Sequence, residues 1–87
     1  MSETAADWFD KAQALGDGEK YTDPEKAIEY LNNAIKLKPD DALAYNNRGL
    51  AYLIQGNSKL GCSDEQKACA LGDCKLLEFT KGKGLCR

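Results

Sequence analysis

With 87 residues, the chain has room for one domain with a modest core, and its stability margin is thin unless something reinforces it. The 12 basic and 14 acidic residues leave a net charge of −2, which argues against a general nucleic-acid binder, because such proteins gather a basic excess on one face. No apolar run approaches the roughly 18 residues of a membrane span, so no membrane-spanning helix is expected. "MSETAADWFDK" lacks the basic start and apolar stretch of a secretory signal, so the expectation is a chain that stays inside the cell, or a mature or recombinant form.

Strand signals are poor, since β-branched residues are sparse and no stretch alternates apolar with polar. A first helix carries Trp8, Ala12 and Leu15 and ends at the turn "GDGEKYTD", residues 16 to 23. In "DPEKAIEYLNNAIKLKPD", Ala27, Ile28, Leu31, Ala34 and Ile35 recur with helical spacing and form one stripe. Asp23 before Pro24 is a start signal, with Thr22 and Glu25 as an alternative capping box. Pro39 ends that helix, and Asp40 or Asp41 caps the next, "ALAYNNRGLAYLIQG", which stops at Gly56. A further helix fits "SKLGCSDEQKACALG", capped by Asn57 or Ser58. A short last one fits "DCKLLEFTK", capped by Asp73 and ended by Gly82.

Compared with itself, the chain repeats. Ile28 and Cys62, Ala34 and Ala68, and Ile35 and Cys69 are each 34 apart, whereas Trp8 and Tyr45, Ala12 and Gly49, and Leu15 and Tyr52 are each 37 apart. An insertion of three residues in the turn at 16 to 23 accounts for the difference. The architecture is all-α: a helix hairpin (residues 5–41), a second hairpin (42–72), and a capping helix with its tail (73–87). All of it lies in a single domain, 1–87.

Tyr45, Gly49 and Tyr52 in the second unit, with Trp8, Ala27, Leu31 and Pro39 in the first, resemble the tetratricopeptide repeat pattern. "AYNNRGLAYLIQGN" is similar to bacterial members of that family, and the resemblance runs from residue 5 to about 75. It implies two hairpins stacked as a short right-handed superhelix. Ala12, Gly49, Ala27, Gly61, Ala34 and Ala68 then sit at close helix contacts, where a larger side chain would force the helices apart. Arg48 departs from the pattern, in place of Leu, as do Gly61 and Glu65, in place of Ala and an aromatic. Such decay suits a terminal unit.

All four cysteines lie between 62 and 86. There is no histidine, and the intervening gaps of six, four and eleven residues do not fit the paired ligands of a structural zinc site. Cys62 and Cys69 are two turns apart on one helix, about 10 Å, too far for one small ion to take both. No Cys-x-x-Cys motif or base supports a catalytic thiol. Two readings remain: buried reduced thiols at core positions, or disulfides. The same separation forbids a 62–69 bridge. A last helix folding back across "LGD" would set Cys74 against Cys69 and return the tail to Cys62, so the pairing expected is Cys62–Cys86 with Cys69–Cys74. The runner-up is Cys62–Cys74 with Cys69–Cys86. Disulfides would place the protein in the periplasm or outside the cell, and their absence in the cytoplasm.

The resemblance implies a concave groove that binds peptide or protein segments. By position its candidate residues are Phe9 and Gln13, then Asn46, Leu50 and Leu53, with Asn47 and Arg48 beside them. Asparagine amides suit hydrogen bonding to a peptide backbone. The competing reading of "NNRG" is an exposed polar face on which Arg48 makes a local ion pair. A second function is self-association: two units are few for a stable array, and the outer face of the first hairpin, with Trp8 and Phe9, would stack on a second copy as a homodimer or on further repeats. Enzyme chemistry finds no support, nor does any cofactor. The chain lacks histidine and a phosphate loop, and "KGKG" at 81 to 84 reads as a return turn.

Overall fold

The computed structural model describes residues 3–16 and 21–86 and is built of five helices. These are α1 (Ala5–Gln13), α2 (Pro24–Leu37), α3 (Ala42–Ile54), α4 (Ser58–Ala70) and α5 (Lys75–Gly82). Each packs on the next along the chain, and the stack is elongated, 43 × 26 × 19 Å. The described residues form no strand, only an isolated antiparallel bridge between Gly16 and Tyr21. Among the described residues no helix is long and apolar enough to cross a membrane.

The helix starts follow from short polar side chains. Thr4 accepts from Asp7 N while the Asp7 carboxylate accepts from Thr4 N, a reciprocal cap that holds the Asp7 carboxyl below its ordinary range. Asp23 caps α2 by accepting from Lys26 N at 3.1 Å, with Pro24 in the first turn. The alternative box at Thr22 does not form, because the Thr22 hydroxyl donates instead to Leu15 O across the turn. Asp41 caps α3 and Asn57 caps α4.

At α5 the expected boundaries shift at both ends. Asp73 accepts from Lys75 N, but it stands one residue before the N-cap, Cys74. Gly82 lies inside the helix, and the chain leaves it at Gly84, where φ is 75° and Leu85 N donates back to Thr80 O. Gly56, at φ 83°, ends α3 by the same device.

Small residues let the helices approach. Ala12, Ala27, Ala34, Ala44, Ala51 and Ala68 are all fully buried. Gly49 and Gly61 bring α3 and α4 closest, since a Cβ on either would stand within 3.0 Å of the other's carbonyl oxygen. Leu31, fully buried between Ala12 and Ala44, is the largest apolar anchor, and burying such a side chain contributes about 1.5–3 kcal/mol. Tyr21, at the end of the long turn, is buried against Ala27 and Ala51 and donates its hydroxyl to Gln13 Oε1. Burial pushes its pKa up to about 12. Residues 17–20 of the turn expected to carry the three-residue insertion lie outside the described residues.

Candidate peptide groove and cysteine-bound cap

A groove of about 490 Å³ runs between α3 and α5. Asn46, Asn47 and Leu50 line it from α3; Lys75, Leu76 and Phe79 face them from α5, with Asp73 at its end. Their spacing explains the shared wall. Asn46 and Leu50 are one helical turn apart, as are Leu76 and Phe79, so each helix presents one stripe. Phe79 is 58% exposed, so its apolar surface is open to the groove. In the wall, Asn46 Oδ1 is buried without a hydrogen-bond partner among the described residues. An unpaired buried acceptor costs about 1–3 kcal/mol.

Three of the seven candidate residues, Asn46, Asn47 and Leu50, are thus brought together; the other four have different tasks. Phe9 packs on the Ala12–Leu31–Ala44 cluster, and Gln13 accepts from Tyr21. Leu53 lies against Gly61 of α4, where the missing Cβ makes room for it. Arg48 is tied inside the stack: Nε and Nη2 each donate to Asp64 at 2.8 Å, and Nη1 donates to Asn32 at 2.9 Å. This fork links α2, α3 and α4, and the hydrogen bonds to Asp64 raise the Arg48 pKa further. Arg48 does make an ion pair, but a part-buried one to a residue 16 positions on rather than a local one on an exposed face, and three of its five N–H donors are engaged in these bonds.

Trp8 meets Tyr30 of its own hairpin at 5.7 Å between ring centroids, with the Lys11 ammonium 4.7 Å from its ring.

The cap is held from both ends. Cys62 and Cys86 lie at disulfide distance with Cα atoms 5.5 Å apart, and Cys69 and Cys74 likewise with Cα atoms 4.0 Å apart. Between these two ties, Thr80 of α5 is buried and donates to Glu65 Oε1 of α4 at 2.6 Å. Burial raises the Glu65 pKa and the neighbouring Asp64 charge adds to the rise, while the Thr80 hydrogen bond lowers it.

Sequence reasoning missed Leu76 and Phe79, because it treated the last helix only as a lid. The signal was present: both are apolar, one turn apart, on a helix that buries only Leu77 and Thr80.

The hairpin stack and its small-residue contacts agree with what comparison finds. Residues 23–56, covering α2, α3 and their connection, match the family model described as TPR repeat. That segment is similar to a tetratricopeptide repeat. Beyond it, a human protein, "Protein SGT1 homolog", is 31% identical over 74 residues, which are 85% of this chain and 20% of that protein. A Bos taurus protein with the same description is 33% identical over 64 residues, 74% of this chain and 19% of its own length. The chain therefore spans about a fifth of these relatives, both of which are mammalian. No solved structure matches it. In tetratricopeptide terms, α1 and α3 open the two hairpins, and α5 lies next in the same series, which is why the groove falls between α3 and α5.

Proposed function

We propose that the chain is a non-catalytic protein–protein interaction module that takes an extended peptide or protein segment along the α3–α5 groove. The observation that carries this is a groove whose walls set the Asn46 and Asn47 side chains beside the apolar Leu50, Leu76 and Phe79. The amides suit hydrogen bonding to a peptide backbone and the apolar wall suits a side chain, and an extended peptide supplies both at neighbouring positions. The tetratricopeptide match and the SGT1 homolog relatives support an interaction role of this general kind.

The test is selection of binders from a random-peptide display library, followed by fluorescence polarisation on individual peptides. Asn46→Ala and Phe79→Ala should each weaken selected peptides at least tenfold, while Leu37→Ala, exposed on α2, should not. Selected peptides indifferent to both groove substitutions would overturn the assignment. With the two cysteine pairs bonded, we place the module in an oxidising compartment, the periplasm or the cell exterior. Self-association as a dimer is the second reading, resting on the exposed apolar side chains Leu37 and Leu43. Sedimentation at rising concentration decides it, and a constant monomer mass removes it.

A further inference from the structure

Glu65 is fully buried on α4, and no ion pair among the described residues includes it; the nearby guanidinium of Arg48 is spent on Asp64. One oxygen is satisfied by Thr80, and the other, Oε2, lies 3.7 Å from Cys86 Sγ. Cys62 precedes Glu65 by three residues, hence on the same helix face, and its sulfur meets that of Cys86. One donor atom each from Cys62, Glu65 and Cys86 thus lies within 4.8 Å of the other two.

We infer that Cys62, Glu65 and Cys86, when the cysteine pair is reduced, form a three-ligand site for Zn²⁺, so that one cluster alternates between a disulfide and a metal centre. Two thiolates and a carboxylate are the donor types that zinc takes. Bonds of about 2.3 Å to sulfur and 2.0–2.2 Å to oxygen in a tetrahedron put the ligand atoms about 3.6–3.8 Å apart. The Cys86–Glu65 separation of 3.7 Å already matches. The sulfurs need only part within a Cα separation of 5.5 Å. The fourth position opens to water through a surface groove of about 400 Å³, lined by Cys62, Cys86, Ser63 and Gln66.

The redox step balances with a dithiol as reductant. Its thiolate attacks the sulfur of half-buried Cys62, the S–S bond breaks, and buried Cys86 leaves as thiolate. The second thiol of the reductant then displaces Cys62 and closes the reductant's own disulfide. The protein disulfide has gained two electrons and two protons, and the dithiol has lost them. Zn²⁺ binding releases both thiol protons.

The site was hidden from sequence reasoning, which looked for cysteine pairs alone. Here the close pair is Cys62 and Glu65, two residues between them, and the third ligand arrives from the tail 21 residues later.

The experiment uses the full chain, as wild type and as Cys69→Ser/Cys74→Ser, which leaves only the Cys62–Cys86 pair. Each is prepared oxidised, and reduced with a phosphine that is then removed, and titrated with Co²⁺ followed by Zn²⁺ competition against a chromophoric chelator. The reduced double variant should bind one Co²⁺ per chain, with thiolate charge-transfer and tetrahedral ligand-field bands that Zn²⁺ abolishes; the oxidised form should bind none. Glu65→Gln should weaken Zn²⁺ at least tenfold while both thiols remain titratable, and Cys86→Ser should remove the two-thiolate spectrum.

If reduced protein loses helical circular dichroism, added Zn²⁺ should restore it. Reduced protein without a tetrahedral Co²⁺ spectrum overturns the inference. So does equal binding in both redox states, Glu65→Gln matching the parent, or reduced protein that stays unfolded with Zn²⁺ present.

Discussion

Replacing Arg48 by Met should destabilise the protein more than any surface substitution, and the structure sets the scale. Two of the guanidinium's donors meet Asp64 at 2.8 Å, and the Asp64 side chain is only 8% exposed. Removing the cation leaves that carboxylate buried without its counter-charge, which costs about 3–5 kcal/mol when such a pair is broken. The Arg48 side chain is 20% exposed, so some water reaches the site and the lower end, about 3 kcal/mol, is expected. In a domain of this size each kcal/mol moves the melting temperature by about 4–8 °C, giving a fall of about 12–24 °C. Asp64→Asn should cost less, about 1–2 kcal/mol, because the long arginine can turn its head to solvent. The double variant Arg48→Met/Asp64→Leu, apolar on both sides, should recover much of the loss. Urea denaturation followed by circular dichroism on the full cycle measures the coupling. A value under about 0.5 kcal/mol would refute the claim that this pair ties three helices together.

Four further outcomes follow from the same structure. Burial raises the Glu65 pKa above its ordinary value of 4.5, so the stability tied to its protonated form is fully present below that value and declines as pH rises through the raised one. Melting temperatures of wild type and Glu65→Gln should therefore diverge with rising pH, the variant holding its value; parallel curves would contradict the burial argument. Cys62→Ser should lower stability of oxidised protein by about 3 kcal/mol, since that bond closes a loop with a sequence separation of 24, and an unchanged denaturation midpoint would show the bond absent. Gly61→Ala should destabilise by about 1–2 kcal/mol despite its better helix propensity, as its Cβ would meet the Gly49 carbonyl and Leu53 at 2.9 Å. By contrast Gly82→Ala, with open space around it, should stabilise by about 0.5–1 kcal/mol, and thermal melts of the two test the sign.

Features with local causes were legible in the sequence. The stripe of Ala27, Leu31 and Ala34 is a helical period, and Asp23, Asp41 and Asn57 cap their helices through bonds that span two or three residues. What the sequence hid is long-range. Arg48 reads as a polar surface residue until Asp64, 16 residues on, is seen beside it. Glu65 reads as decay of a core position until Thr80 arrives from the next helix to meet it. Tyr21 sits in a turn rich in Gly, Asp and Thr, and only the fold shows that turn carrying an aromatic back onto Ala27 and Ala51. In the groove, the α3 wall followed from repeat position. The α5 wall did not, because a helix outside the repeat has no position to inherit.

The stacking of Trp8 on Tyr30 has an optical consequence. It is the chain's one tryptophan, and it sits in the first hairpin, while both cysteine pairs sit in the last two helices. Its emission is therefore a reporter for one end of the array, and the rate at which an added thiol reduces the two disulfides is an independent reporter for the other. Coincident transitions from the two probes would mean that melting passes through the Leu31 and Arg48 contacts as a single cooperative event, and separated transitions would give the coupling between neighbouring hairpins directly.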